Sequence, residues 1–261
     1  MTDLTEFPLP NVSTDLTGEV ALVTGATSGL GWRFAQVLAA AGATVIATGR
    51  REERLAELVL EIESRGGAAH GVPVDMTDAD NIIAAVDHAE AAAGLITILI
   101  NNAGVPDAQR AHKMSVELID TVIDTNLRGP YILSCEVARR LIAAERPGRM
   151  VNISSVAAFH YAGQGAALYS ITKAAIARMS EALAVEWSRY GINVNGIAPG
   201  AFSSEMMDGM LERMGDISTH FPRKRIGMPA QLDSTLLYLC GPSSECVTGT
   251  VITVDDGQGP R

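Results

Sequence analysis

Only three cysteines, Cys135, Cys240 and Cys246, occur in 261 residues. The number is odd and the spacing suits no metal, so neither a disulfide framework nor a thiolate metal centre is expected. Three small, buried or partly buried thiols are the plain reading. The five histidines form no HxxxH pair. Basic residues are also short: 20 Lys and Arg against 30 Asp and Glu leave a net charge of −10. That balance argues against a nucleic-acid reader, which needs a concentrated basic surface. The one dense basic run, Arg223–Arg225, is too short to alter this. No apolar run approaches the roughly 20 residues of a membrane span, so no membrane partner is expected. The opening MTDLTEFPLPNVSTDL carries acids where a signal peptide needs bases, and it has no apolar core region. A reducing cytoplasm is the expected compartment.

Apolar residues, at 47% of the chain, are sufficient for a substantial core. Residues 1–16 read as an arm, and 17–261 as one domain. From Glu19 a rhythm begins. VALVTG is a short apolar run closed by glycine, followed by an Ala-rich helix from about Leu30 to Ala41. ATVIATG, AAHGVPVD, ITILINNAG, RMVNIS, GINVNGIAPG and TVITVDDG supply six further strands, most of them separated by helical stretches. Thr77 and Asp80 match a capping box, and Ser115 is placed to cap a long helix running towards Ala144. Short Val/Ile/Ala strands alternating with helices imply parallel strands buried on both faces. The expected fold is therefore α/β: a Rossmann-like, doubly wound, seven-stranded parallel sheet flanked by helices, with ligands beyond the carboxyl ends of the strands.

Candidate chemistry falls at those ends. After the first strand, TGATSGLGW places Gly25, Gly29 and Gly31 between a strand and a helix. Glycines there allow a tight turn and close approach of the backbone to a pyrophosphate at a helix N-terminus. Tyr169 and Lys173 are four apart, so they share one helix face and can address one ligand. They could equally be a packed ring and a snorkelling amine. A free phenol titrates at about 10, and a neighbouring ammonium would lower that value and suit the phenol to proton transfer.

Taken in order, T-G-x-x-x-G-x-G, Asn101-Asn102-Ala103-Gly104, Asn126 in DTNLRG, N-I-S-S ending in Ser155, Tyr169-x-x-x-Lys173, Pro199-Gly200, RIGMP and TGTVITVDDG closely resemble the short-chain dehydrogenase/reductase family, across roughly residues 17–257. The resemblance implies an NAD(P)-dependent oxidoreductase with Tyr169 as acid/base. Ser155, in preference to Ser154, would hydrogen-bond the substrate oxygen. Lys173 would also hold the nicotinamide ribose, and Asn126 would order a water in a proton relay. Gly25, Ser28, Gly29, Leu30, Gly31, Asp75, Met76, Asn102, Ala103, Gly104, Pro199, Gly200, Phe202 and Ser204 fall where the family contacts its cofactor. The rest of the Tyr169 helix, including Ala174, Ala175, Ile176, Leu183 and Trp187, is a close-packing surface, and the family implies a homotetramer or homodimer. One departure is Asp256, where the final signature more often has a glycine.

Strand two runs into Gly49 and Arg50, where an NAD site usually offers an acid. An arginine suits the 2′-phosphate of NADP, so NADP(H) is favoured, with NAD(H) possible. The plainer alternative is that Arg50 and Arg51 begin a solvated helix. Residues 201–228 are expected to cover the substrate. Their Met206, Met207, Met210 and Met214, with Met228, suggest an adaptable, partly apolar pocket, or a helix packing its methionines inward. Phe159, His160 and Tyr161 would line the opposite wall. The expected reaction is reduction of a ketone, or oxidation of a secondary alcohol. An NAD-linked dehydrogenase of a sugar, polyol or hydroxy-steroid is the alternative, and a non-catalytic dinucleotide sensor or a methyltransferase is more remote.

Overall fold

The structure, a computed structural model, describes residues 9–161, 163 and 165–259. The first half of the expected arm lies outside the described residues. Its far end does not hang free: Leu16 is buried in the core, and its N–H donates to the Ala41 carbonyl at 2.8 Å.

Seven parallel strands form one sheet in the order β3-β2-β1-β4-β5-β6-β7. They are β1 (Val20–Val23), β2 (Thr44–Gly49), β3 (Ala68–Pro73), β4 (Ile98–Asn101), β5 (Gly148–Ile153), β6 (Ile192–Pro199) and β7 (Val251–Val254). The helices are α1 (Gly29–Ala40), α2 (Glu52–Ser64), α3 (Ala79–Ala93), α4 (Val116–Ile123), α5 (Gly129–Ala143), α6 (Ala167–Trp187), α7 (Glu205–Met214) and α8 (Asp233–Cys240).

The sheet alternation explains the composition of the strands. Ala21 and Val23 face one core, with Phe34, Leu38, Leu55, Leu58 and Leu236. Val20 and Leu22 face the other, with Ile82, Val86, Leu141, Ile176 and Leu183. Both faces of the central strands are therefore dry, and polar alternation is absent from them. The strand order reverses between β1 and β4, which opens a crevice at their carboxyl ends. Under that crevice, Asn101 donates to Ser134 Oγ at 2.9 Å and to Asn152 Oδ1 at 2.8 Å, and Asn152 donates to Ser180 Oγ at 2.9 Å. This buried chain ties β4 and β5 to α5 and α6.

Several local expectations change. Asp78, not Thr77, caps α3, accepting from the N–H groups of Asp80 and Asn81 at 3.0 Å each. Thr77 is instead held by Asp75, through its N–H and its hydroxyl. Ser115 does cap α4, accepting from Leu118 N–H. The helix it starts is interrupted by a π-helical turn, Asp124–Arg128, before α5. Cys240 is buried and Cys135 partly buried, but Cys246 is exposed, so the thiols are not all sheltered. None of the five methionines in or beside the expected lid is buried: Met206, Met214 and Met228 are exposed, and Met207 and Met210 are intermediate. Among the described residues no helix is long and apolar enough to cross a membrane.

Candidate active site at the carboxyl ends of β1, β4 and β5

The glycine turn links β1 to α1. At Gly31 a Cβ would run into the carbonyl of Gly25 and the Asn102 amide, and Gly29 has φ +53 with Ser204 against it. Only a residue without Cβ fits such an approach. Thr24, fully buried, locks the turn to β4: its hydroxyl accepts from Asn102 N–H at 2.9 Å and from Ala103 N–H at 3.0 Å. Asn102 Nδ2 donates back to the Thr24 carbonyl at 2.9 Å. Thr24 belongs to the glycine motif, and only the fold reveals its bonds to Asn102 and Ala103.

The start of α1 fits the diphosphate of a dinucleotide. Ser28 at the N-cap makes no side-chain capping bond, and the first turn carries no acid. Its N–H groups and the positive end of the helix dipole thus face no protein anion of their own turn. A pocket of about 440 Å³ opens beside this end, lined by Ser28, Gly29, Trp32, Arg54, Glu205 and Met228 among others. None of Ser155, Tyr169 or Lys173 lines it.

The two arginines after β2 differ. Arg51 donates to Thr27 Oγ1 at 3.1 and 2.9 Å and to Glu205 Oε1 at 3.1 Å, bridging the glycine turn to the start of α7. Arg50 is exposed and, among the described residues, makes no hydrogen bond or ion pair. It lies close enough to Asp75 to contribute, after the Thr77 hydrogen bonds, to holding that carboxyl below its usual range. Met76 is buried in the core. Phe202 is likewise buried, its ring packed against Gly227, so only its main chain is left for a ligand. Leu30 packs partly against the core. Gly200 follows β6, where a Cβ would strike Gln258 and Asp255. Ser204 caps α7, accepting from Met207 N–H at 3.2 Å.

Three expected side chains converge at the end of β5. Ser154 turns inward and donates to the Lys173 carbonyl at 2.7 Å, leaving Ser155 as the serine on the open side. The Ser155 hydroxyl is hydrogen-bonded to the Tyr169 phenol and accepts from Ala157 N–H at 3.1 Å. Lys173 is buried, and its Nζ donates to the Ile153 carbonyl at 2.8 Å. The same Nζ lies 5.7 Å from the Tyr169 ring centroid. It is also 3.4 Å from where a Cβ on Gly104 would be. Burial pushes the Lys173 ammonium down to about 8. Burial also pushes the Tyr169 phenol up, against the opposing Ser155 bond and with the Asp107 carboxylate adding to the rise. The expected lowering of the phenol by its lysine is therefore not the net result; desolvation of the phenolate dominates.

Asn126 sits on the π turn, buried. Its Nδ2 donates to the Val105 carbonyl at 2.9 Å and to Thr172 Oγ1 at 3.2 Å, and its Oδ1 accepts from Val105 N–H at 2.8 Å. The side chain thus clamps the loop after β4 to α6. A π turn widens the backbone spacing and recurs at functional positions.

The far end of the 201–228 segment carries charge pairs. Asp256, at φ +55, receives Arg225 Nε at 2.6 Å and Arg223 Nη1 at 3.0 Å. Both arginines of the basic run are therefore paired within the chain. Phe159 and Tyr161 are largely exposed, 62% and 43%, and His160 is exposed beside them.

The family model described as short chain dehydrogenase matches residues 19–214. Gluconate 5-dehydrogenase of Gluconobacter oxydans is 36% identical over 245 residues, covering 93% of this chain and 95% of that protein. The 3-oxoacyl-[acyl-carrier-protein] reductase FabG of Aquifex aeolicus is 35% identical over 244 residues, covering 93% and 98%. Among solved structures, a gluconate 5-dehydrogenase from Burkholderia cenocepacia in complex with NADP and tartrate superposes with a TM-score of 0.88 at 31% identity, covering 94% of this chain and 96% of that one.

Proposed function

Because the chain belongs to the short-chain dehydrogenase/reductase family and is an NAD(P)-dependent oxidoreductase of CH–OH and C=O groups, we propose that it acts chiefly as an NADPH-dependent reductase of a ketone, and in reverse as a dehydrogenase of a secondary alcohol. The observation that carries this reading is the convergence of Ser155, Tyr169 and Lys173 beside Gly104. When bound, the nicotinamide cofactor supplies or accepts the hydride. Tyr169, whose phenol is held protonated by burial, gives its proton to the carbonyl oxygen, and takes one back in the reverse direction. Ser155 donates a hydrogen bond to the oxygen on which negative charge develops. The Lys173 ammonium favours the phenolate that forms and orients the nicotinamide ribose. Asn126 holds the π turn and the Val105 loop in place, so an ordered water of the proton relay binds to the main chain there.

The turn from Gly25 to Gly31, with Ser28, Gly29 and the Leu30 main chain, takes the diphosphate. Asp75 and the Met76 main chain take the adenine edge. Asn102, Ala103 and Gly104 meet the nicotinamide half, and Pro199, Gly200, Ser204 and the Phe202 main chain meet its carboxamide. Arg50 reads the 2′-phosphate. Residues 201–228 cover a partly apolar substrate, and the protein works as a cytoplasmic homotetramer or homodimer. A second reading, a sugar-acid or polyol dehydrogenase, draws support from the gluconate 5-dehydrogenases among its relatives. The test is a panel of ketones, sugar acids, polyols and their alcohols with NADPH and NADH, followed at the nicotinamide absorbance. No turnover of any carbonyl or alcohol with either cofactor would overturn the proposal. Preference for a polyol with NAD would install the second reading.

A further inference from the structure

Helix α6 begins without a cap of its own. Its N-cap residue is Ala166, which makes no side-chain capping bond. The missing acceptor comes from 62 residues upstream. Asp107, three residues beyond Gly104 and 3% exposed, accepts with Oδ2 from Leu168 N–H at 2.9 Å and from Tyr169 N–H at 3.3 Å. Its Oδ1 accepts from Ala108 N–H at 2.9 Å. Ala108 has φ +49, which a residue with a Cβ adopts at a cost. The loop is thus bent into a disfavoured conformation at the residue that orients the carboxylate. A buried carboxylate without a cationic partner is costly unless backbone donors satisfy it. Here the donors are those of the first turn of α6, including the N–H of Tyr169 itself. No other carboxylate among the described residues bonds that turn.

We propose that Asp107 is a positioning residue for the acid/base. Its buried carboxylate fixes the first turn of α6 to the loop after β4, and so fixes where the Tyr169 phenol stands relative to Ser155 and Gly104. The inference rests on the reading of Tyr169 as acid/base. The cofactor side should be spared, because Asn102 and Ala103 are held independently by Thr24.

The test uses the full-length enzyme with Asp107→Ala, Asp107→Asn and Tyr169→Phe measured together. Each is assayed for kcat, NADPH affinity by calorimetry, and fold by circular dichroism. Asp107→Ala should lower kcat at least tenfold while NADPH affinity stays within threefold of the parent. Asp107→Asn keeps an acceptor for the α6 donors and should recover kcat to within about threefold of the parent, although its amide cannot also accept from Ala108. A folded Asp107→Ala enzyme with kcat within twofold of the parent overturns the proposal, as does an Asn variant as impaired as Ala. If Asp107→Ala does not fold, Asp107→Glu takes its place, with the carboxylate one methylene out of register. It must then show the same tenfold loss at unchanged NADPH affinity, and otherwise the proposal fails. The Tyr169→Phe arm keeps the two claims apart. Activity there refutes the acid/base reading and the inference with it, whereas an inactive Tyr169→Phe beside an unimpaired Asp107→Ala refutes the inference alone.

Discussion

Replacing Lys173 by Met removes a buried charge whose effect on the phenol can be worked from the geometry. Nζ lies 5.7 Å from the Tyr169 ring centroid. At an effective dielectric of about 20, a unit charge at that distance stabilises a phenolate by about 3 kcal/mol. That corresponds to about two pKa units, or up to about 100-fold in the rate of a step in which the phenol gives up its proton. The same loss should appear in the parent as pH rises. Burial lowers the Lys173 ammonium to about 8, so ketone reduction should be level below pH 8 and fall above it as the cation is lost. Tyr169, pushed up by burial, keeps its proton through that range. The Met variant should be slow and flat across pH 8.

Stability gives an independent reading. Between about 8 and 10.5 the unfolded chain binds a proton at Lys173 that the folded chain does not, so this group makes stability increase with pH in that window. Cys240, raised by burial to about 12, works the other way above pH 9, since the folded state then holds a proton that the unfolded state releases. The parent-minus-variant difference in urea midpoint cancels the Cys240 contribution. Assays are kcat/KM for ketone reduction and urea denaturation from pH 6.5 to 9.5. A parent profile without a break between pH 7 and 9, or a Met variant that keeps the break, would refute the reasoning.

Tyr169→Phe should keep the fold and NADPH affinity but lose nearly all turnover, since ring packing is retained and the proton is gone; near-parent kcat in the folded variant would exclude it as acid/base. Arg50→Ala should cut kcat/KM for NADPH about tenfold, at the low end of the 1.5–3 kcal/mol for a charged hydrogen bond because the site is exposed. NADH should be unaffected and the NADPH loss should shrink in high salt; equal harm to both cofactors would remove Arg50 from the 2′-phosphate. Asp256→Gly should leave the urea midpoint nearly unchanged, because loss of its exposed pairs with Arg223 and Arg225 is offset by relief of a left-handed backbone. The same variant should make residues 221–228 more sensitive to protease, and unchanged cleavage would show that the pairs do not hold the lid.

What could be read in the sequence was whatever depends on local order. Strands such as Val20–Val23 and Ile98–Asn101 declare themselves because both faces are dry, and the glycine turn declares itself because only glycine tolerates its geometry. Ser155 could be preferred to Ser154 from the motif, and the structure gives the physical contrast, with Ser154 turned onto the Lys173 carbonyl. Features set by distant partners were not legible. Thr77, Asp78 and Asp80 are all plausible caps, and the competing bond of Thr77 to Asp75 decides for Asp78. Nothing local marks the π turn at Asn126, or that Gly129 after it packs too closely on the Met76 carbonyl to carry a Cβ. Arg50 and Arg51 are adjacent and alike, and only the fold commits Arg51 to Thr27 and Glu205. Asp107 is a lone acid in a loop until α6 is brought against it.

The two kinds of contact also divide the molecule functionally. Around the reacting groups the ties are buried and mostly to backbone: Lys173 to Ile153, Asn126 to Val105, Asn102 to Thr24. Breaking any of them leaves a buried polar group unpaired, at about 1–3 kcal/mol, and salt screens them little. Residues 201–228, proposed above to cover the substrate, keep the buried Phe202 at their base but carry exposed ion pairs as well, Arg51 with Glu205 at one end and Arg223 and Arg225 with Asp256 at the other. The arginine side chains of these pairs are 47–67% exposed. Pairs of that kind contribute at most about 1 kcal/mol each and weaken as ionic strength rises. Helix α7 contributes no buried residue, so on the proposed role of residues 201–228 it can shift on the buried Phe202–Gly227 base while the reacting groups keep their geometry. Rising salt should therefore act on KM for substrate, through the lid, before it acts on kcat.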